Sequence, residues 1–443
     1  MIFKRKIYDE LLLWKRTDDG RTAVLIQGAR RVGKSTIAEE FAANEYETYI
    51  LVDFAACSTE IRELFNDLSN LNRIFMRLQL EYGVELKERK SAIIFDEVQL
   101  APKARQAIKY LVKDGRYDYI ETGSLISIRK NVKDILIPSE EVKLHMYPMD
   151  YEEFKWALGD TATIKLLQSC FQNRTSLGDA TNRKLMRDFR LYMLVGGMPQ
   201  AVASFLESNN LEKVDSVKRS IITLYEDDFN KIDLTGNASK MFRQIPAQLT
   251  SNASRYQAWS ATDGKRNSEL AEIISEIKES MVVNMSYHAN DPSVGMALHQ
   301  DPDKYKMFAG DTGLFVTLAF WDKKFTDNTI YHKLLSDKLS ADLGYVYENA
   351  IAQMLKASGH ELYYYTFPTE SGKHNYEVDF LIADGDKISP IEVKSSGYKA
   401  HTSLDAFCTK FSARIKNKYL IYTKDMRKEE DVQYLPAYMT MFL

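Results

Sequence analysis

Short apolar runs separated by amphipathic stretches fill the first third of the chain. The runs that predict strands are Val24–Ile26, Tyr49–Phe54, Ala92–Glu97, Tyr117–Ser124 and Val142–Pro148. Between the second and third runs, Ser58–Tyr82 carries apolar residues at helical spacing, which predicts one helical stretch. Apolar runs without alternation are typical of strands buried on both faces. The pattern therefore predicts an α/β fold in which helices cover a parallel sheet.

The pattern changes after the fifth strand. Residues 149–235 show helical spacing, interrupted at Val195-Gly196-Gly197-Met198-Pro199, where a tight turn between helices is the favoured interpretation. Residues 236–330 combine helices with two strands, Met281–Ser286 and Lys304–Phe308, around a polar loop. Residues 331–443 predict a helix from Ala341 to Gly359. The strands predicted after that helix are Leu362–Thr366, Tyr376–Ile382 and Ile391–Lys394.

The first apolar run leads into a glycine-rich loop that opens a helix. The loop reads Gly28-Ala29-Arg30-Arg31-Val32-Gly33-Lys34-Ser35 and has the Gly-x-x-x-x-Gly-Lys-Ser spacing of a P-loop. Its glycines allow backbone N–H groups to point at a phosphate, Lys34 can reach the β- and γ-phosphates, and Ser35 can ligate Mg²⁺. A chance glycine-rich turn is the alternative, disfavoured by the flanking strand and helix. We expect ATP and Mg²⁺ to bind at Gly28, Arg30, Arg31, Val32, Gly33, Lys34, Ser35 and Thr36.

Acids and hydroxyls stand at the ends of two later strands. Asp96 and Glu97 end the third strand, and Thr122 and Ser124 end the fourth. Ligands of parallel sheets bind at the carboxyl ends of strands. Asp96 is therefore expected to hold Mg²⁺, and Glu97 to polarise the attacking water. Helix capping would explain an isolated acid pair, and a simple turn remains open for Thr122 and Ser124.

Composition narrows the class of protein. The chain has 443 residues, a net charge of −3 and three cysteines. A nearly neutral chain needs a local basic patch to bind nucleic acid. Cys57, Cys170 and Cys408 lie far apart, which argues against a disulfide framework or zinc site and favours a reducing cytoplasm. No apolar run approaches the about eighteen residues of a membrane span. We expect a cytoplasmic protein without membrane contact.

These motifs, in this order, resemble the AAA-type P-loop ATPases of bacteria and archaea that carry a C-terminal domain of unknown function. The resemblance rests on the P-loop, Asp96-Glu97-Val98-Gln99, Thr122-Gly123-Ser124 and Tyr147–Phe154, and it covers nearly the whole chain. Many members have Gly-Arg before the Tyr-Pro strand, where this chain has Ser139-Glu140-Glu141. No arginine finger is assigned for that reason.

The residue patterns, together with this resemblance, predict the order of the domains. The expected domains are an ATPase core over 1–148, a helical lid over 149–235, a winged-helix-like domain over 236–330 and an α/β domain over 331–443. Winged helices often place a helix in the DNA major groove. The helix in question carries Glu269, Glu272, Glu276 and Glu279, which a phosphate backbone would repel. Structural or protein-contact use is therefore favoured over DNA reading.

The C-terminal elements carry three acids and a lysine. Glu348 lies on the predicted helix, Asp379 on a strand, and Glu392 and Lys394 two positions apart on the next strand, hence on one face. This order resembles the restriction-endonuclease-like nucleases. Asp379 and Glu392 are expected to bind Mg²⁺, and the four residues to form the catalytic set, with Lys394 acting on the attacking water. Asp…Glu-x-Lys also occurs in surface hairpins, but the apolar framing favours a buried site.

Two functions follow from these motifs. In the first, an ATPase cycle controls a metal-dependent nuclease that acts on DNA. In the second, an ATP-switched binding or signalling protein uses an inactive nuclease-like domain to recognise a protein or nucleic-acid partner. A homo-oligomer is compatible with either function. The nuclease function requires four residues to converge in one site, namely Glu348, Asp379, Glu392 and Lys394.

Overall fold

The computed structural model describes residues 1–124, 137–251, 254–262, 264–265, 267–322, 328–336 and 344–443. They form two compact units. The first unit comprises residues 1–147 with 279–281, and the second comprises 148–278 with 282–443. Among the described residues, no helix combines the length and apolar character needed to cross a membrane.

The first unit is built on a parallel sheet. Its strands are β1 (Ala23–Gln27), β2 (Thr48–Asp53), β3 (Ser91–Asp96), β4 (Asp118–Gly123) and β5 (Glu141–His145). Its helices are α1 (Ile7–Asp18), α2 (Lys34–Glu45), α3 (Thr59–Glu63), α4 (Leu71–Tyr82) and α5 (Pro102–Asp114). The strand order is β2-β3-β4-β1-β5, and every pairing is parallel. The predicted parallel sheet is therefore confirmed, with β4 lying between β1 and β3.

The apolar pattern of these strands is explained by burial. Every residue of β1, β3 and β4 is buried. On one face, Leu25, Val52, Phe95 and Tyr119 pack with Ile108 of α5 in one apolar cluster. Each large apolar side chain buried in this way contributes about 1.5–3 kcal/mol. The packing fixes the carboxyl ends of β1, β3 and β4 next to one another.

The single helix predicted over Ser58–Tyr82 is wrong. The structure has α3 and α4 instead, with a turn of 3₁₀ helix at Leu64–Asn66 between them. Asp67 accepts the N–H of Ser69, and Asn70 caps α4 by accepting the N–H of Arg73. Asp and Asn side chains compete with the helix for backbone N–H groups, so the apolar spacing continues through a break in the helix.

The second unit contains many helices and a mixed sheet. Its helices are α6 (Tyr151–Ala157), α7 (Thr163–Asn173), α8 (Asp179–Val195), α9 (Pro199–Ser208), α10 (Leu211–Ile232), α11 (Asn237–Arg243), α12 (Ile245–Thr250), α13 (Ala258–Ala261), α14 (Asn267–Glu279), α15 (Thr312–Ala319), α16 (Asn328–Leu335), α17 (Gly344–Ala357) and α18 (Thr402–Lys410). Its strands are β6 (Val283–Ala289), β7 (Gln300–Ala309), β8 (Leu362–Pro368), β9 (Asn375–Asp384), β10 (Lys387–Val393), β11 (Lys418–Tyr422), β12 (Arg427–Glu429) and β13 (Val432–Pro436). The predicted helix start at Ala341 lies outside the described residues.

One eight-stranded sheet joins the middle and the end of the chain. Its order is β12-β13-β11-β10-β9-β8-β6-β7. The β6–β7 hairpin, expected as the wing of a winged helix, pairs through β6 with β8 in parallel, with Ser286 opposite Leu362. The hairpin is therefore not a separate wing, and the predicted boundary at 330/331 does not divide two sheets. The spacing of residues within a hairpin does not reveal which other strand pairs with the edge of that hairpin. The winged-helix-like domain over 236–330 stays a prediction.

Two glycine motifs of the second unit pack against each other. The Gly196-Gly197 segment forms the turn from α8 to α9, as the favoured interpretation predicted. The N–H of Gly197 donates to the carboxylate of Asp311, which also caps α15. A Cβ on Gly313 would lie 2.5 Å from the Cα of Gly196. This close backbone approach requires glycine on both sides, so the two motifs have a structural role.

Candidate functional site

The P-loop lies between β1 and α2. Gly33 has φ +100°, a conformation that residues with side chains rarely adopt, and a Cβ on Gly28 would lie 2.3 Å from the carbonyl oxygen of Met146. Helix α2 begins at Lys34, so its N-terminal N–H groups and their partial positive charge face the loop. The predicted strand, loop and helix are all present in the structure.

Lys34 and Ser35 begin α2 beneath the loop. The Lys34 side chain is buried, and its Nζ donates to the carbonyl oxygens of Gly28 at 3.2 Å and Ala29 at 2.9 Å. Burial lowers the pKa of Lys34 to about 8, against the opposing effect of Glu97 and Asp96. A buried ammonium with a weakened hold on its proton is stabilised by an added negative charge. The site is therefore suited to an anion.

The end of β3 meets the P-loop through hydroxyl groups. The Ser35 hydroxyl donates to Oδ1 of Asp96 at 2.7 Å, and the Thr122 hydroxyl at the end of β4 donates to the same oxygen. Glu97 adopts a left-handed conformation at φ +54°, and its N–H donates to the Thr122 hydroxyl at 3.3 Å. The structure thus brings Ser35, Asp96, Glu97 and Thr122 together, as the sequence predicted.

The other residues expected to bind nucleotide lie around this centre. Val32 is buried, Arg30 is half-buried, and Arg31 and Thr36 are exposed. Arg31 has φ +70°, which bends the loop. Ser124 is buried just after β4. All of them stay predicted ligands.

Arg5 was missed by the sequence analysis. Its side chain is 5% exposed and donates to the carbonyl oxygens of Val32 at 2.8 Å and Tyr147 at 2.6 Å. It therefore fixes the P-loop to the segment after β5. An arginine in a basic N-terminal stretch gives no sequence signal for that role.

A second cluster of charged groups lies in the second unit. Glu348 is on α17, Asp379 on β9 and Glu392 on β10, with Lys394 directly after that strand. Lys394 Nζ lies 2.8 Å from Oε1 of Glu392, and Oδ2 of Asp379 accepts the N–H of Val393 at 2.7 Å. The structure brings the four predicted residues into one neighbourhood.

The pKa values of the acids record their mutual repulsion. Burial, and then the charge of Asp379, raises the pKa of both Glu348 and Glu392. Burial also raises the pKa of Asp379, against the opposing charge of Lys306. Buried carboxylates that repel one another favour protonation or a cation. The cluster is thus short of positive charge.

Two further members of the cluster were missed. Lys306 of β7 is 6% exposed and forms an ion pair with Glu377 of β9. Burial acts to lower the pKa of Lys306, but the charges of Glu377, Glu348 and Asp379 outweigh it, and the pKa is raised. The contact between Lys306 and Glu377 could not be predicted, because β7 belongs to the hairpin that was expected in another domain. Spacing alone gave no signal for either residue.

The fit to a metal ion is partial. Among the described residues, no hydrogen-bond partner lies at the buried Oε2 of Glu392, so one carboxylate oxygen is open to a cation. Across the part of the chain that the structure describes, no three His, Cys, Asp or Glu side chains are already arranged as a metal site. Asp379 and Glu392 therefore stay predicted ligands.

Three segments match known domain families. Residues 20–155 match the model described as the AAA domain. An AAA-type P-loop domain occupies this stretch. Residues 186–324 and 343–439 match two domains of unknown function, DUF8612 and DUF4143. No curated protein is significantly similar in sequence.

Solved structures give only partial matches. A Walker-type ATPase of Pyrococcus abyssi is 15% identical with a TM-score of 0.41, over 72% of this chain and 96% of that one. Cdc6p of Pyrobaculum aerophilum is 13% identical with a TM-score of 0.24, over 76% and 94% of the two chains. These similarities are too low to transfer a function.

Proposed function

We propose that residues 1–147 bind ATP with Mg²⁺ and hydrolyse its terminal phosphate. The observation that supports this is the 2.7 Å hydrogen bond between Ser35 of the P-loop and Asp96 at the end of β3. It brings a hydroxyl and a carboxylate oxygen, both of the kind that Mg²⁺ prefers, next to Lys34. The residues present fit the metal that the AAA domain implies.

Each residue has a role in this proposal. The loop N–H groups and Lys34 would bind the phosphates, while Ser35 and Asp96 would hold Mg²⁺, which when bound offsets negative charge on the phosphates. Glu97 would orient the water that attacks the terminal phosphorus and would accept its proton, so that ADP and phosphate leave. Thr122 would keep Asp96 and Glu97 in register through its two hydrogen bonds.

Two variants test the proposal. Lys34→Ala is expected to lose binding of a fluorescent ATP analogue. Glu97→Gln should bind the analogue within a few-fold of wild type and release phosphate at least about 100-fold more slowly. Glu88→Gln changes an exposed glutamate and serves as the matched control. Normal turnover by Glu97→Gln would exclude Glu97 as the base, and unchanged binding by Lys34→Ala would exclude the P-loop as the nucleotide site.

A second candidate function is metal-dependent cleavage of phosphodiester bonds by the acidic cluster. The unpartnered, buried Oε2 of Glu392 supports it, because such an oxygen is costly unless a cation or donor satisfies it. Asp379 and Glu392 would hold the metal, Glu348 would add negative charge, and Lys394 would bind the attacking water. The natural target is proposed as DNA.

Cleavage assays separate this function from its alternative. With Mg²⁺ or Mn²⁺, the purified protein is expected to nick plasmid DNA, and Lys394→Ala should stop nicking. Lys399→Ala changes a nearby exposed lysine and should nick at the wild-type rate. Equal nicking by Lys394→Ala would mean that a contaminant cuts. Failure with every metal would favour the ATP-switched binding protein.

The two activities are proposed to be coupled, with the nucleotide state of the P-loop controlling the C-terminal domain. Wild-type nicking should then change on addition of ATP, whereas nicking by Lys34→Ala should not. Equal rates with and without ATP in the wild type would refute the coupling and leave both activities standing.

A further inference from the structure

A cleft in the second unit collects basic side chains from two distant parts of the sequence. It has a volume of about 1050 Å³ and is lined by α8 on one side and by the segment after β11 on the other. Its basic residues are Arg183, Arg187, Arg190, Lys424 and Arg427. None of them belongs to the P-loop or to the acidic cluster, so the cleft is a separate feature.

Three of these cations lack an acidic partner. Arg183 and Arg187 are four positions apart on α8, hence on one face, and both are exposed. Lys424 is exposed on the opposite side. Within the described part of the chain, none of the three makes an ion pair. Like charges at this spacing repel each other, so the arrangement favours an external anion.

The acids of the lining do not neutralise it. Asp425 accepts the N–H groups of Leu177 at 3.2 Å, Gly178 at 2.6 Å and Met426 at 2.8 Å, so its charge stabilises the backbone of the cleft wall. Asp179 is the other acid. Among the lining residues that the structure describes, five cations face two carboxylates, and a third carboxylate, of Glu429 outside the lining, pairs with Arg427 at 3.1 Å. The described lining is therefore positive, in a chain whose net charge is −3.

The two walls are fixed to each other. Asn182 of α8 donates to the carbonyl oxygen of Thr423 at 3.2 Å and accepts the hydroxyl of Tyr438 at 2.9 Å. Arg190 is 5% exposed and donates to the Tyr347 hydroxyl at 3.0 Å. The backbone of each wall and the Arg190 side chain are therefore held in place before a ligand arrives, so less of the cleft has to be ordered on binding.

One wall also presents a flat, charged surface. The Arg427 guanidinium lies 4.6 Å from the ring centre of Tyr434 and 5.5 Å from that of Tyr398. Arginine planes and aromatic rings are the surfaces on which unpaired bases stack. The cleft thus combines several cations with one arginine plane.

We propose that this cleft binds a single-stranded nucleic acid through its phosphates, with Arg183, Arg187 and Lys424 as the principal contacts. Its exposed cations come from two separate segments, residues 183–187 and residue 424, which favours a ligand with several phosphates, such as a polymer segment, over a single phosphate. The cations line a concave surface and not a protruding helix, which favours a single strand over the major groove of a duplex. The proposal goes beyond the activities proposed above and holds whether or not the acidic cluster cuts.

Fluorescence anisotropy with a labelled oligothymidylate, in EDTA to prevent cleavage, tests the proposal. Arg183→Glu/Arg187→Glu should weaken binding at least about 10-fold and lower the slope of log affinity against log salt by about 1.4, since each single-strand phosphate contact contributes about 0.7. Lys165→Glu/Lys184→Glu makes the same charge change at exposed lysines outside the cleft and should retain binding. The Lys34→Ala protein should also bind normally, which separates this cleft from the P-loop.

Several results would overturn the assignment. Equal affinity in the two double variants would mean that only overall charge matters. Tighter binding of a duplex or of a polyglutamate peptide than of the oligonucleotide would assign the cleft to that ligand instead. Tighter binding of ATP would do the same if it were measured in the Lys34→Ala protein, in which the P-loop does not compete. If Arg183→Glu/Arg187→Glu melts at a lower temperature than wild type, Arg183→Ala/Arg187→Ala replaces it and should still weaken binding several-fold; unchanged binding by this milder pair would refute the proposal.

Discussion

Replacing Glu121 by glutamine should stabilise the first unit, and increasingly so as the pH rises. Glu121 lies on β4 and is fully buried, and neither of its carboxylate oxygens has a hydrogen-bond partner among the described residues. Its neighbour Glu141 is held by Arg105 at 2.9 Å and 3.2 Å. Two neighbouring carboxyl groups can form a hydrogen bond only if one of them carries a proton. Glu141 is paired with Arg105 and stays ionised, so Glu121 is the group that holds the proton. Burial, and then the charge of Glu141, accordingly raises the pKa of Glu121 well above its ordinary value, against the opposing charge of Arg105.

The magnitude follows from linkage. A raised pKa means that Glu121 keeps its proton in the folded state at pH values where it loses the proton in the unfolded chain. The free energy of unfolding is therefore highest below the ordinary pKa of 4.5 and falls as the pH rises. At 1.36 kcal/mol per pH unit, holding Glu121 protonated costs at most about 2.0 kcal/mol at pH 6 and about 4.8 kcal/mol at pH 8. Glutamine avoids this cost but leaves one buried N–H unpaired, at about 2 kcal/mol. The expected gain is near zero at pH 6 and increases with pH, to at most about 2.8 kcal/mol at pH 8.

Hydrogen exchange of the β1 and β4 amides measures this gain in the full chain, because central strands exchange through large opening reactions. The ratio of wild-type to variant exchange rates cancels the intrinsic effect of pH. For Glu121→Gln, that ratio should be near one at pH 6 and should increase with pH, to at most about 100 at pH 8. Glu88→Gln, an exposed control, should give a ratio of one at both values. A Glu121→Gln ratio that does not change with pH, or a variant that exchanges faster at pH 8, would refute the reasoning.

Two further substitutions test individual contacts. Thr122→Val keeps the shape of the side chain but removes the hydroxyl that donates to Asp96, so phosphate release should slow by about 10- to 100-fold. Thr122→Ser keeps the hydroxyl and should release phosphate at close to the wild-type rate. Equal rates for both variants would show that the hydroxyl is dispensable. Gly313→Ala places a Cβ 2.5 Å from the Cα of Gly196 and should destabilise the second unit by about 1–3 kcal/mol in thermal unfolding. Gly344→Ala, whose Cβ meets nothing closer than 3.4 Å, is the control, and an equal melting temperature for both would contradict the packing argument.

Local spacing was sufficient for the first candidate site. The P-loop lies within one strand–loop–helix unit, and Asp96 and Thr122 end strands that the sheet order places beside it. Because parallel strands end at the same edge, residues distant in sequence were predicted to meet without knowledge of the packing. The C-terminal residues Glu392 and Lys394 were predicted from a resemblance to nucleases, and alternation along one strand explained why the two share a face.

Contacts that depend on strand order or on long side chains were not predictable. Lys306 joins the acidic cluster only because the β6–β7 hairpin pairs with β8, a choice that no pattern within the hairpin encodes. Arg5 reaches Val32 and Tyr147 across the fold, over a distance set by tertiary packing. The partnership of Glu121 with Glu141 arises because β4 and β5 flank β1, and strand neighbours cannot be read from a single sequence.

The lysines of the two candidate sites differ in the balance between burial and charge. For Lys34, burial outweighs Glu97 and Asp96, which lowers its pKa to about 8. For Lys394, burial also acts to lower the pKa, but Glu392 and Asp379 outweigh it and the pKa is raised. Lys34 therefore lacks negative charge, which a phosphate would supply, whereas Lys394 already serves as the counter-ion of Glu392. A cation bound at Oε2 of Glu392 would share the charge of this carboxylate with Lys394, which is bonded to Oε1, and would weaken its attraction for the ammonium. Metal binding would thus make Lys394 more available to a phosphodiester or its attacking water, while Lys34 needs no such change before nucleotide binds.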